Sequence, residues 1–295
     1  MPDTEDGMTM TPLRSALFIP GNKERMLAKA SGVNADAILP DMEDSVPDAE
    51  KANARTIIST FLPQLRDTSA LIIPRVNALE TGWIEKDLSA VVGPYIDGIS
   101  VGKINTPSDI TEVSTLMAKL ERRAGLPVGQ LRIIPWIETA QAIMNCYEIF
   151  LASTRIIAGA FGAEDFTNDL GVERLDDESQ LLFARSRLCT AARAAGITAL
   201  DTPYFRFRDD DGLRASSTAA RHLGFKGRFA IHPAQVETIN ECFSPSAKEI
   251  EHARRVVAAF EEAEARGRGS TSLDGVVIDV PVVKRARAFL ALVER

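Results

Sequence analysis

The 295 residues include 34 Lys and Arg against 41 Asp and Glu, a formal net charge of −7, and 45% are apolar, enough for a full core in one large α/β domain or two small ones. With no basic block, the acidic balance gives no electrostatic reason to expect nucleic acid or an anionic membrane as partner, although a local basic pocket suffices for a small anion. Cys146, Cys189 and Cys242 are scattered and odd in number, no apolar run approaches the roughly 20 residues of a membrane span, and the opening "MPDTEDGMTMTP" is unlike a leader, so a cytoplasmic protein is expected.

Short apolar, β-branched runs recur along the chain. In order they are "SALFIP" (15–20), "DAILPDME" (36–43), "LIIPRVN" (71–77), "GISVGKI" (98–104), "RIIPWIE" (132–138), "RIIAGAFG" (155–162), "TALDTPYF" (198–205) and "RFAIHP" (228–233). Helix-like stretches such as "KERMLAKASG", "PSDITEVSTLMAKLERRAG" and "SQLLFARSRLCTAARAAG" separate them, and several end in a glycine suited to a C-cap. Strict alternation of buried strands and helices implies a parallel sheet with right-handed crossovers. Eight units predict an α/β fold of the TIM-like (β/α)8 barrel type over residues 13–244, with its site at the C-terminal rim. A doubly wound open sheet is the rival, but "PGNKER" after the first strand is not the G-x-G-x-x-G of a nucleotide site. Residues 245–295 read differently: a long amphipathic helix, a loop with a short apolar stretch, and a final helix. This C-terminal helical extension is expected to cap the rim or to reach a neighbouring subunit.

Polar residues collect at the strand ends. Glu43 and Asp44 end the second strand, Arg75 and Asn77 the third, Lys103 the fourth and Glu138 the fifth; Glu164 and Asp165 follow the sixth, and His232 ends the eighth. Clustered carboxylates repel one another, and a hard cation is the simplest way to keep them charged. Mg²⁺ commonly takes one or two carboxylates and leaves other positions to water and substrate, which suits Glu138 and Asp165 on adjacent strands. Either acid alone fits an arginine partner or a helix cap equally well; the two together favour metal. Arg75 can hold a carboxylate bidentately or stabilise an enolate oxygen, or it can balance Glu43 and Asp44. Gly21, Asn22 and Lys23 at a helix start, with Lys29 beyond, can receive phosphate, although exposed lysines are usually just solvated. Lys103 is a formal Schiff-base candidate, but its neighbourhood gives little reason for a depressed pKa.

Taken together, "LRSALFIPGNKERMLAKA", "DMEDSVPDAEKANAR", "RVNALET", "IETA", "FGAEDFTNDLG", "FRDDDGLRA", "GRFAIHPAQVETINECFSPS" and "DGVVIDVP" resemble the citrate lyase β-chain and malyl-CoA lyase-like family of HpcH/HpaI aldolases. The resemblance runs over about residues 13 to 290 and is specific for the family, not for the substrate. It implies a TIM-like barrel, homotrimers or hexamers, and Mg²⁺-dependent cleavage of 3-hydroxyacyl thioesters. By position in the motifs, Glu138 and Asp165 would bind the metal, and Arg75 would contact substrate and enolate. Arg14, Phe18, Lys23 and Lys29 would hold the carrier, CoA or an acyl-carrier protein. Asp279 would act as acid or base across a subunit interface, and Glu43 and Asp44 complete the candidate catalytic set.

There are departures. Gly102-Lys103 stands where relatives commonly have Pro-Lys. Thr202 and Arg206 stand where they tend to show Gly and Asp. Thr202 is expected to narrow the entrance, and Arg206 either selects an extra carboxylate on the substrate or is a solvated loop arginine. The expected activity is a Mg²⁺-dependent lyase acting on a malyl-, citramalyl- or citryl-type thioester. A metal-dependent aldolase on free 2-oxo acids and a non-catalytic binding or accessory subunit are the alternatives.

Overall fold

A computed structural model describes residues 12–175 and 177–293; nearly all of the acidic opening segment, read above as unlike a leader, lies outside them. The apolar runs form strands β1 (Ser15–Pro20), β2 (Ala37–Asp41), β3 (Leu71–Ile72 and Arg75–Val76), β4 (Gly98–Val101), β5 (Arg132–Ile137), β6 (Ala158–Phe161), β7 (Thr198–Asp201) and β8 (Gly227–Ala230). β3 is broken at Pro74, which has no N–H to give to a ladder. All pairings between these strands are parallel, and each strand neighbours the next in sequence. β1 pairs with β2 (Ala16 opposite Ala37) and with β8 (Ser15 opposite Arg228), which closes the barrel.

Helices follow the strands: α1 (Glu24–Leu27), α2 (Lys51–Arg66), α3 (Ile84–Val91), α4 (Pro107–Arg123), α5 (Ala140–Leu151), α6 (Ala163–Leu170), α7 (Leu182–Ala195), α8 (Asp210–Leu223) and α9 (Gln235–Phe243). Their ends are written locally. Thr106 and Asp109 form a capping box around Pro107 at the start of α4, and α7 stops where Gly196 turns left-handed, φ 75°.

The core has two layers, as the period-two alternation of a strand requires. Ala16, Phe18, Leu39, Ile134, Trp136, Leu200 and Phe229 fill the barrel, with Trp136 and Phe229 4.4 Å apart. Leu17, Ile19, Ile133 and Ile137 point the other way, into the layer under the helices.

The chain divides between Phe243 and Ser244 into two compact units. The second holds α10 (Ala247–Ala265), opened by a Ser246–Glu249 capping box, and α11 (Val280–Val293), around Val256, Phe260, Ile278 and Val283. The segment expected to be a loop is a hairpin, β9 (Thr271–Leu273) with β10 (Val276–Ile278). Asp274 and Gly275 at its turn have φ 52° and 80°, the left-handed pair that a two-residue hairpin needs. Among the described residues, no helix is long and apolar enough to cross a membrane.

Candidate active site

The inward alternation continues past the core to the mouth of the barrel. Inward Leu39 leads to Asp41, Ile73 to Arg75, Ile134 and Trp136 to Glu138, and Ala158 and Ala160 to Gly162. A buried strand finishes on a carboxylate because its last inward position faces the mouth, where charge meets water and ligand rather than apolar core.

Arg75 is the best-held group there. Its Nε and Nη2 each donate to Asp41 at 2.7 Å, and its Nη1 lies 3.0 Å from both Glu43 and Asp44. Its guanidinium sits 4.5 Å over the Phe18 ring and 5.9 Å from Trp136. Burial pulls the Arg75 pKa down, but the three acids outweigh it and hold the group charged. Asp41, fully buried, is likewise dominated by burial, yet Arg75 and the Ser45 and Glu43 contacts leave it below the usual carboxylate range. Sequence reading passed over Asp41 in favour of Glu43 and Asp44. Its signal was present: it is the last inward position of β2.

Glu138 is 5% exposed, and burial, with the charges of Glu43 and Asp165, pushes its carboxyl up to about 8. Burial also raises Glu43 to about 7, with Arg75 opposing. Two glycines make the space. A Cβ on Gly162 would stand 2.4 Å from Glu138 Oε2, and one on Gly102 would stand 2.6 Å from Glu43 Oε1 and 3.1 Å from Glu138 Oε1. Lys103 bridges the acids: its backbone N–H donates to Glu138 at 2.6 Å, and its Nζ is 3.5 Å from Glu43. Burial lowers the Lys103 pKa, but Glu43 and Glu138 raise it further, to about 12, the wrong direction for a Schiff-base amine.

Among the described residues, no group of three or more His, Cys, Asp or Glu is arranged to hold a metal. Two carboxylates remain, Glu138 and the half-buried Asp165 in the first turn of α6, close enough for their charges to interact. That donor set is all oxygen and incomplete, and burial keeps Glu138 raised even with Lys103 beside it. These residues fit Mg²⁺, which takes one or two carboxylates and keeps positions for water and ligand, better than they fit zinc.

The other expected residues are distributed unevenly. Phe18 lies under the Arg75 guanidinium, a support more than a contact surface. Arg14 is not brought to the rim. It precedes β1 at the opposite end of the barrel and forks onto Asp36 at 2.8 and 2.9 Å. Lys23 and Lys29 are exposed at α1, a helix of only one turn, so a phosphate there would rest on the lysines rather than on a helix N-terminus. Thr202 is buried and accepts from the N–H of Ala163 at 3.3 Å, tying β7 to the start of α6 rather than narrowing an entrance. Arg206 is exposed and interacts with Tyr204 and Asp209. His232 stacks on Phe207 at 4.9 Å, and its Nδ1 accepts from the N–H of Ala234. Asp279, in the second unit, is exposed and caps α11.

Residues 14–233 match the family model for HpcH/HpaI aldolase/citrate lyase. The chain belongs to that family. It is 38% identical to the citrate lyase subunit beta of Leuconostoc mesenteroides subsp. cremoris, over 95% of this chain and 92% of that protein. It is also 38% identical to a (3S)-malyl-CoA thioesterase of Cereibacter sphaeroides, over 96% and 95%. Among solved structures, CitE of Mycobacterium tuberculosis in complex with magnesium, acetoacetate and coenzyme A superposes with a TM-score of 0.78 at 27% identity, over 96% of this chain and 99% of that one. A citrate lyase from Burkholderia xenovorans, 18% identical with a TM-score of 0.84 over 98% and 93%, shares the fold.

Proposed function

We propose that the protein is a Mg²⁺-dependent carbon–carbon lyase. It cleaves a 3-hydroxyacyl thioester of the malyl, citramalyl or citryl type to a 2-oxo acid and an acyl thioester. The observation that carries this reading is the pair Glu138 and Asp165, opening onto a mouth where Arg75 is fixed by acids and aromatic rings. Glu138 and Asp165 would hold the metal, which would supply Lewis-acid chemistry toward the 2-hydroxy-acid part.

The chain's own groups do the rest. Glu43, flanked by Arg75 and Lys103, takes the hydroxyl proton, and the adjacent C–C bond breaks in retro-Claisen fashion. Arg75 faces the negative charge that develops on the thioester enolate, and Asp44 helps hold its guanidinium in place. Asp279 of a neighbouring chain in a homotrimer or hexamer returns a proton to the enolate carbon. Lys23 and Lys29 attract the phosphates of CoA or an acyl carrier. The likeness to citrate lyase beta subunits and to a CitE complexed with magnesium and coenzyme A supports this reading, and the likeness to (3S)-malyl-CoA thioesterases leaves hydrolysis of a malyl-type thioester as a further reaction of the same site.

The test is a panel of 3-hydroxyacyl-CoA thioesters with Mg²⁺, following 2-oxo acid and free thiol. Release of 2-oxo acid from at least one member is expected. Cleavage of the free acids without any thioester would leave a metal-dependent aldolase instead. Binding without turnover would leave an accessory subunit.

A further inference from the structure

Lys51 is the first residue of α2 and is only 5% exposed. It breaks two preferences at once. A cation is disfavoured at a helix N-terminus, where the unsatisfied N–H groups already carry partial positive charge. A buried lysine ordinarily has a counter-charge. Yet the first turn of α2 contains no acid, and among the described residues no carboxylate pairs with Lys51. Its Nζ donates instead to two backbone carbonyls, Met42 at 2.9 Å and Glu43 at 2.8 Å.

The same turn is held from the other side. Asn77 Nδ2 donates to the Met42 carbonyl at 2.9 Å, while Asn77 itself is fixed through its N–H and Nδ2 to the buried Asp87. Asp87 is in turn paired with Arg55 at 2.8 Å. The N–H of Glu43 donates to Asp41 Oδ1 at 2.9 Å. The backbone N–H and C=O of Glu43, and the carbonyl before it, are therefore all pinned. Folding alone does not require an ammonium here, since each carbonyl keeps another donor, Asn77 for Met42 and the Val46 N–H for Glu43. Broken local preferences of this kind gather at functional sites.

We propose that Lys51 is a positioning residue for Glu43. Its buried ammonium locks the turn after β2 so that the Glu43 carboxylate stands between Arg75 and Lys103. The inference rests on Glu43 being the base of the proposed lyase, and the experiment keeps the two apart. Full-length wild type, Lys51→Met, Glu43→Gln and the double variant are compared by hydrogen exchange over residues 42–46 and by turnover of the thioester panel.

Lys51→Met is expected to speed exchange in that segment while the rest of α2 stays protected. Its kcat should fall about tenfold or more with little change in KM, the scale of losing a group that orients a site residue. The double variant should be no slower than Glu43→Gln alone, because Lys51 acts through Glu43. Unchanged exchange, or losses that multiply in the double variant, overturns the proposal. Should Lys51→Met fail to fold, Lys51→Gln, which keeps an amide donor at that position, carries the same comparison. If wild type turns over no thioester while exchange still rises in the variant, the lyase reading falls and the lock on Glu43 stands.

Discussion

The backbone N–H of Lys103 donates to Oε1 of Glu138 at 2.6 Å, and it does so from a left-handed conformation, φ 54°. A non-glycine residue pays to adopt that backbone, and such strain concentrates at sites where a group must be aimed. Here the strained residue holds Glu138, whose carboxyl burial raises to about 8, with its main chain and reaches Glu43 with its side chain.

The glycines around Glu138 are correspondingly intolerant. A Cβ at position 162 would meet the Glu138 carboxylate at 2.4 Å and its Cβ at 2.7 Å, whereas one at position 102 meets only the ends of two side chains. Gly162→Ala should therefore weaken divalent metal binding by about tenfold or more, and Gly102→Ala by less. Titration with Mn²⁺ as the reporting ion reads both. Equal, wild-type affinities in the two variants would mean that Glu138 is not the ligand.

Metal binding itself is tested by Glu138→Gln and Asp165→Asn. Each keeps size and removes charge, so each should abolish Mg²⁺-dependent turnover and Mn²⁺ binding while the barrel stays folded. Chelation of the wild type should have the same effect and be reversed by Mg²⁺. Wild-type activity of both variants in metal-depleted buffer would sink the assignment.

Acid stability turns on a different acid. Glu121 is fully buried, and its two oxygens take Arg155 at 2.7 and 2.6 Å and the N–H groups of Gly129 and Leu131 at 2.9 Å. Burial raises its pKa, but these contacts outweigh burial and leave it below the usual carboxylate range. A depressed carboxylate contributes stability that is present above its unfolded pKa, about 4.3, and lost as pH falls through its folded value. Glu121→Gln should cost about 3–5 kcal/mol at neutral pH by leaving Arg155 without its partner, and the gap to wild type should narrow below about pH 4. Thermal melts across pH measure this. A gap independent of pH would show that Glu121 is not ionised in the folded protein.

Much of the barrel was legible in the sequence because buried parallel strands are dense in β-branched residues and their helices end on glycines such as Gly196 and Gly224. The rim acids were legible as residues but not as partners. Asp41 and Glu43 are two apart on one strand end, and only the pairing of β2 with β3 shows that Arg75 forks onto the first. Arg14 precedes the first strand and so stood at the end away from the rim already in the sequence, but its partner Asp36, 22 residues away, was not legible. The hairpin of the second unit was readable after all: Asp274-Gly275 between apolar residues is a strong two-residue turn signal. The role of Lys51 was not readable, since burial of a lysine at a helix start contradicts every local preference.

The last prediction concerns Asp279. In the second unit it lies between the exposed Val277 and Val280, and among the described residues its carboxylate accepts only from the N–H of Val282, at 3.3 Å. A cap needs only a short acceptor, so Asp279→Asn should keep the helix at a cost of a few tenths of a kcal/mol or less. If Asp279 also protonates the enolate on an adjacent chain, the same variant should lose turnover while binding metal and thioester as wild type does. Complementation then separates the two roles. Asp279→Asn chains mixed with Glu138→Gln chains, under conditions that allow subunit exchange, should recover part of the activity, because a mixed assembly contains sites with both groups intact. With exchange verified by mass on chains of which one variant is isotopically labelled and no activity recovered, Asp279 acts within its own chain or serves the helix alone.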